Sequence, residues 1–285
     1  MQSLWILASG FLFALCALCI KLGAADFSGF ELVFYRSAFG LGLMYALLVA
    51  TGDTPRTRHL FGHFKRSTAA WLSMVIWMGC VPMIPLATSL TLGATTPIFI
   101  AAVFIALALF KKTPLSWPLA GSIFTGFAGI LLMMRPSFSP EETGGCVMAV
   151  ASAAISAYSF WQIKELSVMR ESSYRIVFYV SAFGLAYSLA CILAAGEGFS
   201  PVTADNVLYI AGIGLTAGLG QLCLTFAYGK GNMLLSSCLQ YSSIVFSQIF
   251  GFVIFGETID AMGAAGIALI AASGVVATMI TRRLG

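Results

Sequence analysis

The nine residues 33–41, VFYRSAFGL, return almost unchanged at 177–185 as VFYVSAFGL, 144 positions further along the chain. The two copies differ only at Arg36, whose counterpart is Val180. A sequence that matches itself at a fixed spacing contains structural repeats. The motif therefore predicts that the chain consists of two related halves, of which only the first carries an arginine at this place.

A weaker match extends the repeat over more of the chain. At a spacing of 145, Phe110, Thr113, Ala120, Gly121 and Gly129 return as Phe255, Thr258, Ala265, Gly266 and Gly274. We therefore predict two domains, residues 1–136 and residues 144–283, each holding one copy of the repeated unit. In membrane proteins, two such repeats commonly enclose a shared binding site at their interface.

The composition indicates a protein embedded in a lipid bilayer. Apolar residues make up 59% of the 285 residues and charged residues only 9%, whereas soluble domains average about 45–50% and about 25%. Most of the apolar segments reach the length of about 20 residues that a helix needs to cross a bilayer. Ten of them follow one another, near 2–22, 30–50, 68–86, 93–110, 116–134, 144–163, 175–195, 206–228, 233–255 and 262–281. Because these runs show no two-residue alternation, the predicted fold class is an all-α membrane protein with ten transmembrane helices.

The charges predict the orientation of these helices. With ten crossings, both termini and every even-numbered loop lie on one side, and that side holds 12 of the 15 basic residues. Basic residues accumulate in cytoplasmic loops, so we expect both termini in the cytoplasm and the chain in the inner (plasma) membrane. Five helices per half is an odd number, so the second half is expected to enter the membrane upside down. Glu31 and Arg175, at matching places before the two copies of the motif, would then face opposite sides.

Sequence signatures of enzymes are missing from the chain. We find no nucleophile elbow, no zinc-protease motif and no glycine-rich phosphate loop, which argues against an enzyme and against nucleotide hydrolysis. No cofactor is expected. The net charge of +4 is explained by loops beside anionic lipid rather than by nucleic acid. The predicted partners are therefore the bilayer and a small-molecule substrate.

Arg36 is the most informative single residue, because it lies about two turns inside the second apolar segment. A charge at that depth must pair, meet water or reach the interface. In one interpretation, Arg36 binds a substrate carboxylate or phosphate in a cavity. In the other, it holds helices together through carbonyl groups and Glu31, or extends outward to the interface.

Polar and aromatic side chains at membrane depth complete the candidate substrate site. An amide surrounded by lipid needs a partner, so Gln221 and Gln240 should face protein or water. The remaining candidates for the cavity are the aromatic side chains Trp77, Tyr158 and Tyr241 and the hydroxyl of Thr95.

Breaks in the helices are expected where backbone lines the cavity. Pro82 and Pro85 predict a kink in the third segment, while the glycines of the eighth segment favour close packing over a break. Trp71 is expected near the membrane interface. His59 and His63 are four residues apart; a basic amphipathic segment on the inner leaflet is the favoured interpretation, and a metal site is the alternative.

The fifth and tenth segments carry many glycines and almost no polar side chains. The glycines lie at 121, 126 and 129 and at 263, 266 and 274. Small residues allow helices to approach closely within the membrane. We therefore expect these helices to support the fold from its periphery and to offer a face for a homodimer.

Taken together, the segments resemble the drug/metabolite transporter superfamily, and within it the ten-helix EamA-type transporters. The resemblance is carried by FLFALCALCIKLG (11–23), ELVFYRSAFG (31–40), PLATSLTLGATTPIF (85–99), FAGILLMMRP (127–136) and QLCLTFAYGKGNMLLSSCLQYSSIVFSQIFGFVIFGETI (221–259). It implies a central cavity lined by helices 1, 3, 4, 6, 8 and 9, which supports Tyr158, Gln240 and Tyr241 and leaves Arg36 at the margin. The family often ends its fourth helix with a Glu-Arg pair. This chain has Lys111 and Lys112 there and Glu257 in the second half.

The function that these observations predict is secondary transport of a small organic metabolite, an amino acid or a similar compound. Export across the inner membrane by alternating access of two inverted halves is the expected mode. One alternative is an importer of an adenosyl compound or vitamin in the same fold. A different class, a non-transporting scaffold or sensor, is disfavoured by the polar groups at membrane depth. Because the acids lie in loops or near helix ends, weak or absent proton coupling is expected.

Overall fold

The computed structural model describes residues 2–23, 26–112, 115–196, 198–204, 206–256 and 258–284. These residues form helices and connecting turns, with no strand among them. A short 3-10 turn, Gln2–Leu4, precedes the first α-helix. The α-helices are α1 (Trp5–Gly23), α2 (Gly29–Ala50), α3 (Leu60–Cys80), α4 (Leu86–Gly93), α5 (Thr96–Lys111), α6 (Trp117–Met134), α7 (Thr143–Val168), α8 (Ser173–Ala195), α9 (Val207–Lys230), α10 (Met233–Gln240), α11 (Ser242–Phe255) and α12 (Ala261–Leu284).

The twelve α-helices form ten rods, because α4 continues into α5 and α10 continues into α11. Nine rods of the described chain are long and apolar enough to cross a membrane. The exception is α3, whose first two turns contain His63, Lys65 and Arg66. The chain is therefore an all-α membrane protein, as its composition predicts.

The third rod differs most from its predicted bounds. It begins at Leu60 rather than near residue 68, and it ends at Cys80. Pro82 and Pro85 lie outside it, in the 3-10 turn and the connection to α4. Proline has no backbone N–H and disfavours helix in the residue before it. The two prolines therefore separate two helices instead of kinking one.

The first turns of α3 are amphipathic with their polar side turned inward. His63 and Arg66 are buried, whereas Phe61 and Phe64 point outward with exposed fractions of 71% and 42%. In a bilayer, the apolar side of a helix faces lipid and the polar side faces protein or a cavity. This segment is therefore part of the helix bundle, and its interpretation as a surface segment of the inner leaflet is wrong.

The fourth and ninth rods are interrupted at corresponding positions. In each rod a helix of eight residues comes first, Leu86–Gly93 or Met233–Gln240. Ala94 and Thr95 separate α4 from α5, and Tyr241 separates α10 from α11. By contrast α9 is continuous, so its glycines serve close packing: a side chain at Gly214 would collide with Phe39.

The repeated motif forms the contact between α2 and α8. A Cβ atom added to Gly184 would lie 2.8 Å from the Ser37 hydroxyl, and one added to Gly40 would lie 2.8 Å from the Ser181 hydroxyl. The serine of each copy therefore packs against the glycine of the other. Because the residue order is reversed between the two contacts, the helices cross antiparallel at this point.

Four of the six glycines noted in the fifth and tenth rods pack against other parts of the chain: Gly126, Gly129, Gly266 and Gly274. A Cβ atom at Gly129 in α6 would lie 2.8 Å from the carbonyl oxygen of Gly266 and 2.9 Å from the side chain of Ile270. The two helices therefore approach each other nearly backbone to backbone. A homodimer through the outer faces of α6 and α12 stays a prediction.

Candidate substrate cavity

A cavity of about 420 Å³ lies between the two halves of the chain. Its wall is built by helices from both halves, with α1, α2 and α3 contributing from the first and α7, α8 and α9 from the second. The interrupted rods reach it through Gly93, Thr96, Gln240 and Ser243. A volume of 300–1,000 Å³ is typical of small-molecule sites.

Four of the predicted site residues line this cavity and three do not. The four are Arg36, Trp77, Gln221 and Gln240; the three are Thr95, Tyr158 and Tyr241.

Each of these three side chains points elsewhere for a local reason. The Thr95 hydroxyl donates to the Leu92 carbonyl oxygen at 2.6 Å, and its neighbour Thr96 faces the cavity instead. Tyr158 lies on the outer face of α7 and is 46% exposed. Tyr241 is buried with its ring next to Gly126. Neighbouring residues on a helix differ in direction by about 100°, so depth alone does not determine which of them faces a cavity.

Arg36 faces the cavity without a carboxylate partner. Within the described part of the chain, no acidic side chain lies within 4 Å of its guanidinium group. Glu31 is engaged elsewhere, because its carboxylate accepts hydrogen bonds from the Ser28 backbone N–H at 2.7 Å and from the Ser200 hydroxyl at 3.0 Å. The positive charge of Arg36 is therefore available to a ligand.

Arg66 is a second arginine in the same wall, although it precedes the third apolar segment, which was expected to begin near residue 68. It is only 1% exposed. Its Nη1 donates to the Ser159 hydroxyl at 3.3 Å, while its Nε has no hydrogen-bond partner. The described lining contains no aspartate or glutamate, so the cavity is positively charged.

Serine hydroxyls join α3 to α7 along one side of the cavity. The Ser73 hydroxyl donates to the Ser152 carbonyl oxygen at 3.0 Å, and the Ser152 hydroxyl donates to the Ser73 carbonyl oxygen at 2.9 Å. Ser156 and Ser159 continue this polar face of α7. The positions 152, 156 and 159 are spaced as one face of a helix. This spacing in the sequence indicates which side of α7 faces the cavity.

Gln240 is oriented by a buried tyrosine. The Tyr228 hydroxyl donates to Gln240 Oε1 at 2.5 Å, and the Tyr228 ring stacks on Phe160 at 4.7 Å between ring centres. Tyr228 is completely buried. With its oxygen occupied, the Gln240 side chain presents its NH₂ group as the donor available to a ligand.

Gln240→Leu is expected to weaken apparent substrate affinity several-fold at normal membrane levels. The change removes a hydrogen bond of about 1 kcal/mol, and leucine is favourable within the bilayer. Transport rates at varied substrate concentration measure the effect. Gln248→Leu, the same change outside the cavity lining on the next helix, is the matched control. Equal affinities of the two variants would show that Gln240 only connects helices.

Two tryptophans supply flat apolar surface to the cavity. Trp77 was predicted here, whereas Trp71 was expected at the membrane interface. Because α3 begins at Leu60, Trp71 lies in the middle of the helix. Its ring contacts Tyr187 at 5.1 Å, and its indole Nε1 is buried without a partner. A ligand that enters the cavity can therefore meet both aromatic surface and an unused donor.

Two polar clusters lie at opposite ends of α2. The Glu31 cluster consists of Ser28, Glu31 and Ser200, and it ties the start of α2 to the connection after α8. The Arg175 cluster consists of Asp53, Thr57, Glu171 and Arg175, and it ties the start of α8 to the connection after α2. Glu31 and Arg175 occupy matching places in the repeat, so the two clusters are counterparts.

Glu171 is the centre of the Arg175 cluster. Its carboxylate accepts hydrogen bonds from the Thr57 hydroxyl at 2.6 Å and from Arg175 Nη1 at 2.9 Å. Burial alone would raise the pKa of Glu171, but these hydrogen bonds and the charge of Arg175 lower it below its ordinary value. His63 Nε2 lies 3.4 Å from the same carboxylate. The described residues hold no group of three His, Cys, Asp or Glu side chains that could bind a metal ion.

Comparison with known proteins agrees with this architecture. Residues 143–279 match the model of the EamA-like transporter family. The pseudopaline exporter of Pseudomonas aeruginosa is 29% identical over 267 residues, which cover 93% of this chain and 91% of the exporter. The chain is therefore similar to EamA-like transporters, through the family model in its second half and through the exporter over most of its length.

Other similar proteins also match most of the chain. The riboflavin transporter of Brucella anthropi is 25% identical over 228 residues, 79% of this chain and 78% of that protein. A solved structure with 18% sequence identity superposes with a TM-score of 0.86 over 99% of this chain and 98% of the other, which shows the fold. This EamA-like chain is a multi-pass membrane transporter and not an enzyme.

Proposed function

We propose that this transporter exports a small organic metabolite, an amino acid or a similar compound, across the inner membrane. The proposal rests on the position of Arg36. Its guanidinium group faces a cavity between the two halves and has no carboxylate partner among the described residues. A charge within the membrane is retained where it serves a substrate or ion pathway. The carboxylate of an amino acid is a suitable ligand, since arginine binds carboxylates through two parallel hydrogen bonds.

The proposed mechanism is alternating access of two inverted halves. The antiparallel packing of Ser37 on Gly184 and of Gly40 on Ser181 supports a two-fold relation between the halves. The Glu31 and Arg175 clusters are suited to closing the two ends of the molecule, because each ties a helix of one half to a connection of the other. Opening one end then requires that cluster to separate while the other holds.

Export is favoured by the electrostatics of the cavity. The described lining carries two arginines and no acid, so it is suited to an anion. Moving one elementary charge across a membrane corresponds to about 2.3 kcal/mol per 100 mV. The cell interior is negative, so this potential drives an uncompensated anion outward.

Substrate counterflow in proteoliposomes tests the proposed transport. Glu31 lies outside the cavity lining, and Glu257 lies outside the described residues. Since a proton-coupled carrier usually places a carboxylate at membrane depth, we expect counterflow to persist after an uncoupler collapses the proton gradient. Strong proton-dependent accumulation that is lost in Glu257→Gln would contradict this expectation and assign proton coupling to Glu257.

The proposed orientation has a separate test. Cysteines introduced at Arg58 and Arg283, in a background without native cysteines, should be protected from an impermeant thiol reagent applied to intact cells. A cysteine at Glu141 should be labelled, because ten crossings place the α6–α7 connection on the opposite side. All three side chains are exposed. Labelling of all three positions would overturn the inverted arrangement.

An importer of a vitamin or adenosyl compound is the second candidate. The riboflavin transporter of Brucella anthropi is similar over 79% of the chain, and Trp71 and Trp77 offer the cavity surface on which a ring system could stack. Uptake of labelled riboflavin by cells that express the chain distinguishes this candidate from an exporter of amino acids.

A further inference from the structure

We propose that the substrate carries two acidic groups, one bound by Arg36 and the other by Arg66. The inference rests on the proposed function of the cavity and specifies its substrate class. Both arginines line the same cavity, and each belongs to a different helix, α2 or α3.

The partners of Arg66 do not account for its charge. A guanidinium group has five N–H donors, and Arg66 makes one side-chain hydrogen bond, at 3.3 Å, to the neutral Ser159 hydroxyl. That serine itself donates to the Arg66 carbonyl oxygen. The Nε atom is buried and has no partner. A buried ion that lacks a counter-ion is strongly unfavourable, so an anion that enters the cavity would relieve the deficit.

The two arginines reach the cavity from different helices. Helix α8 packs against both of these helices: Ser37 in α2 lies against Gly184, and the hydroxyl groups of Thr68 in α3 and Tyr187 in α8 are 2.7 Å apart. Gly184 and Tyr187 are one turn apart in α8. Arg36 and Arg66 are close in sequence to these two contacts, so they lie at similar depth on separate walls of the cavity, where one ligand with two acidic groups can meet both.

The cavity between the arginines suits the body of such a molecule. Ser37 and Ser67 offer hydroxyl groups, and Trp71 offers an apolar surface. Carboxylates and phosphates are both bound by arginine in a two-pronged geometry. The chemistry therefore selects diacids, including acidic amino acids, over neutral compounds of the same shape.

Matched ligand pairs test this inference on the unaltered protein. Glutamate and glutamine, and aspartate and asparagine, differ by one acidic group at nearly constant size. Succinate, glutarate, adipate and inorganic phosphate complete the set. We expect each diacid to inhibit substrate counterflow with an apparent affinity at least about tenfold higher than that of its matched amide. The reason is that charge-assisted hydrogen bonds are stronger than hydrogen bonds between neutral groups. Inorganic phosphate alone should compete weakly.

Substitutions of Arg66 assign the second acidic group. Arg66→Gln should remove the preference for glutamate over glutamine while leaving the affinity for glutamine within about twofold, and Arg66→Lys should retain part of the preference. Arg58→Gln, at an exposed position, is the control. If Arg66→Gln does not reach the membrane, the ligand pairs on the unaltered protein still decide the question.

Several outcomes would overturn the inference. Equal affinities of an acid and its amide would do so, and so would an equal loss of both ligands in Arg66→Gln, since that result indicates a structural role. Binding of neutral library compounds alone would refute the diacid while transport stands. Absence of counterflow for every compound would instead refute the proposed function on which the inference rests.

Discussion

Arg36→Lys is expected to lower transport by one to two orders of magnitude while the protein reaches the membrane in normal amount. Lysine keeps the positive charge but loses the planar fork that binds a carboxylate through two hydrogen bonds. A hydrogen bond that involves a charged group contributes about 1.5–3 kcal/mol, and about 1.4 kcal/mol corresponds to a factor of ten in affinity. Initial counterflow rates at subsaturating substrate measure this loss.

The thermal stability of Arg36→Lys shows whether a loss of transport reflects substrate binding or folding. Arg36 makes no ion pair in the described structure, so its replacement should not lower the melting temperature of the purified protein by more than about 3 °C. Arg58→Lys, at an exposed loop position, controls for the exchange itself. If Arg36→Lys transports normally whereas Arg36→Ala fails to accumulate, the arginine has a structural role.

Arg175→Gln is expected to produce the largest loss of stability. Arg175 binds both Glu171 and Asp53, and its Nε donates to the Thr54 carbonyl oxygen at 2.8 Å. The Glu171 side chain is only 4% exposed. Removal of one partner of a buried ion pair typically destabilises a protein by about 3–5 kcal/mol. Thermal unfolding of the purified protein at pH 7 measures the loss.

The pH dependence of this loss follows from the pKa of Glu171. Its hydrogen bonds and the charge of Arg175 lower that pKa in the folded protein. The stabilisation is therefore present above the ordinary carboxylate pKa of about 4.3 and disappears as the pH falls through the lower folded value. The difference between the unaltered protein and Arg175→Gln should shrink accordingly below about pH 4.

Arg170→Gln is the neighbouring control. A melting temperature that is equal in both variants would show that the Arg175 cluster does not hold this end closed.

The hydropathy of the sequence was sufficient to place most of the rods, because lipid selects for long apolar segments. It failed at the start of α3 for a physical reason. A charge that faces an internal cavity and a charge in a loop lower local hydropathy equally, so His63 and Arg66 resembled loop residues. The buried positions of these side chains follow from the packing of α3 on other helices, which a single sequence does not display.

The sequence predicted how deep a side chain lies in the membrane better than the direction in which it points from its rod. Tyr158 and Ser159 are neighbours, but Tyr158 is exposed on the outside whereas Ser159 is buried against Arg66. Tyr158 was predicted to line the cavity because it is a large aromatic residue, although the spacing of the serines indicated the face of α7 that lines it. Tyr228 was not identified as a partner of Gln240, since that contact joins two consecutive rods, α9 and α10. Arg36 was a candidate because an arginine stands out within an apolar repeat. The structure places it in the cavity lining, and its role in substrate binding stays a prediction.

Ligand-dependent thermal stability tests whether the Arg36 cavity is the substrate site of this transporter. The melting temperature of the purified protein and of Arg36→Gln would be measured in parallel across a library of acidic, zwitterionic and neutral metabolites. A ligand at a concentration of 100 times its Kd stabilises the folded state by about 2.7 kcal/mol. We expect at least one acidic or zwitterionic metabolite to raise the melting temperature of the unaltered protein and to have no such effect on Arg36→Gln. Ligands that stabilise both proteins equally would contradict this expectation.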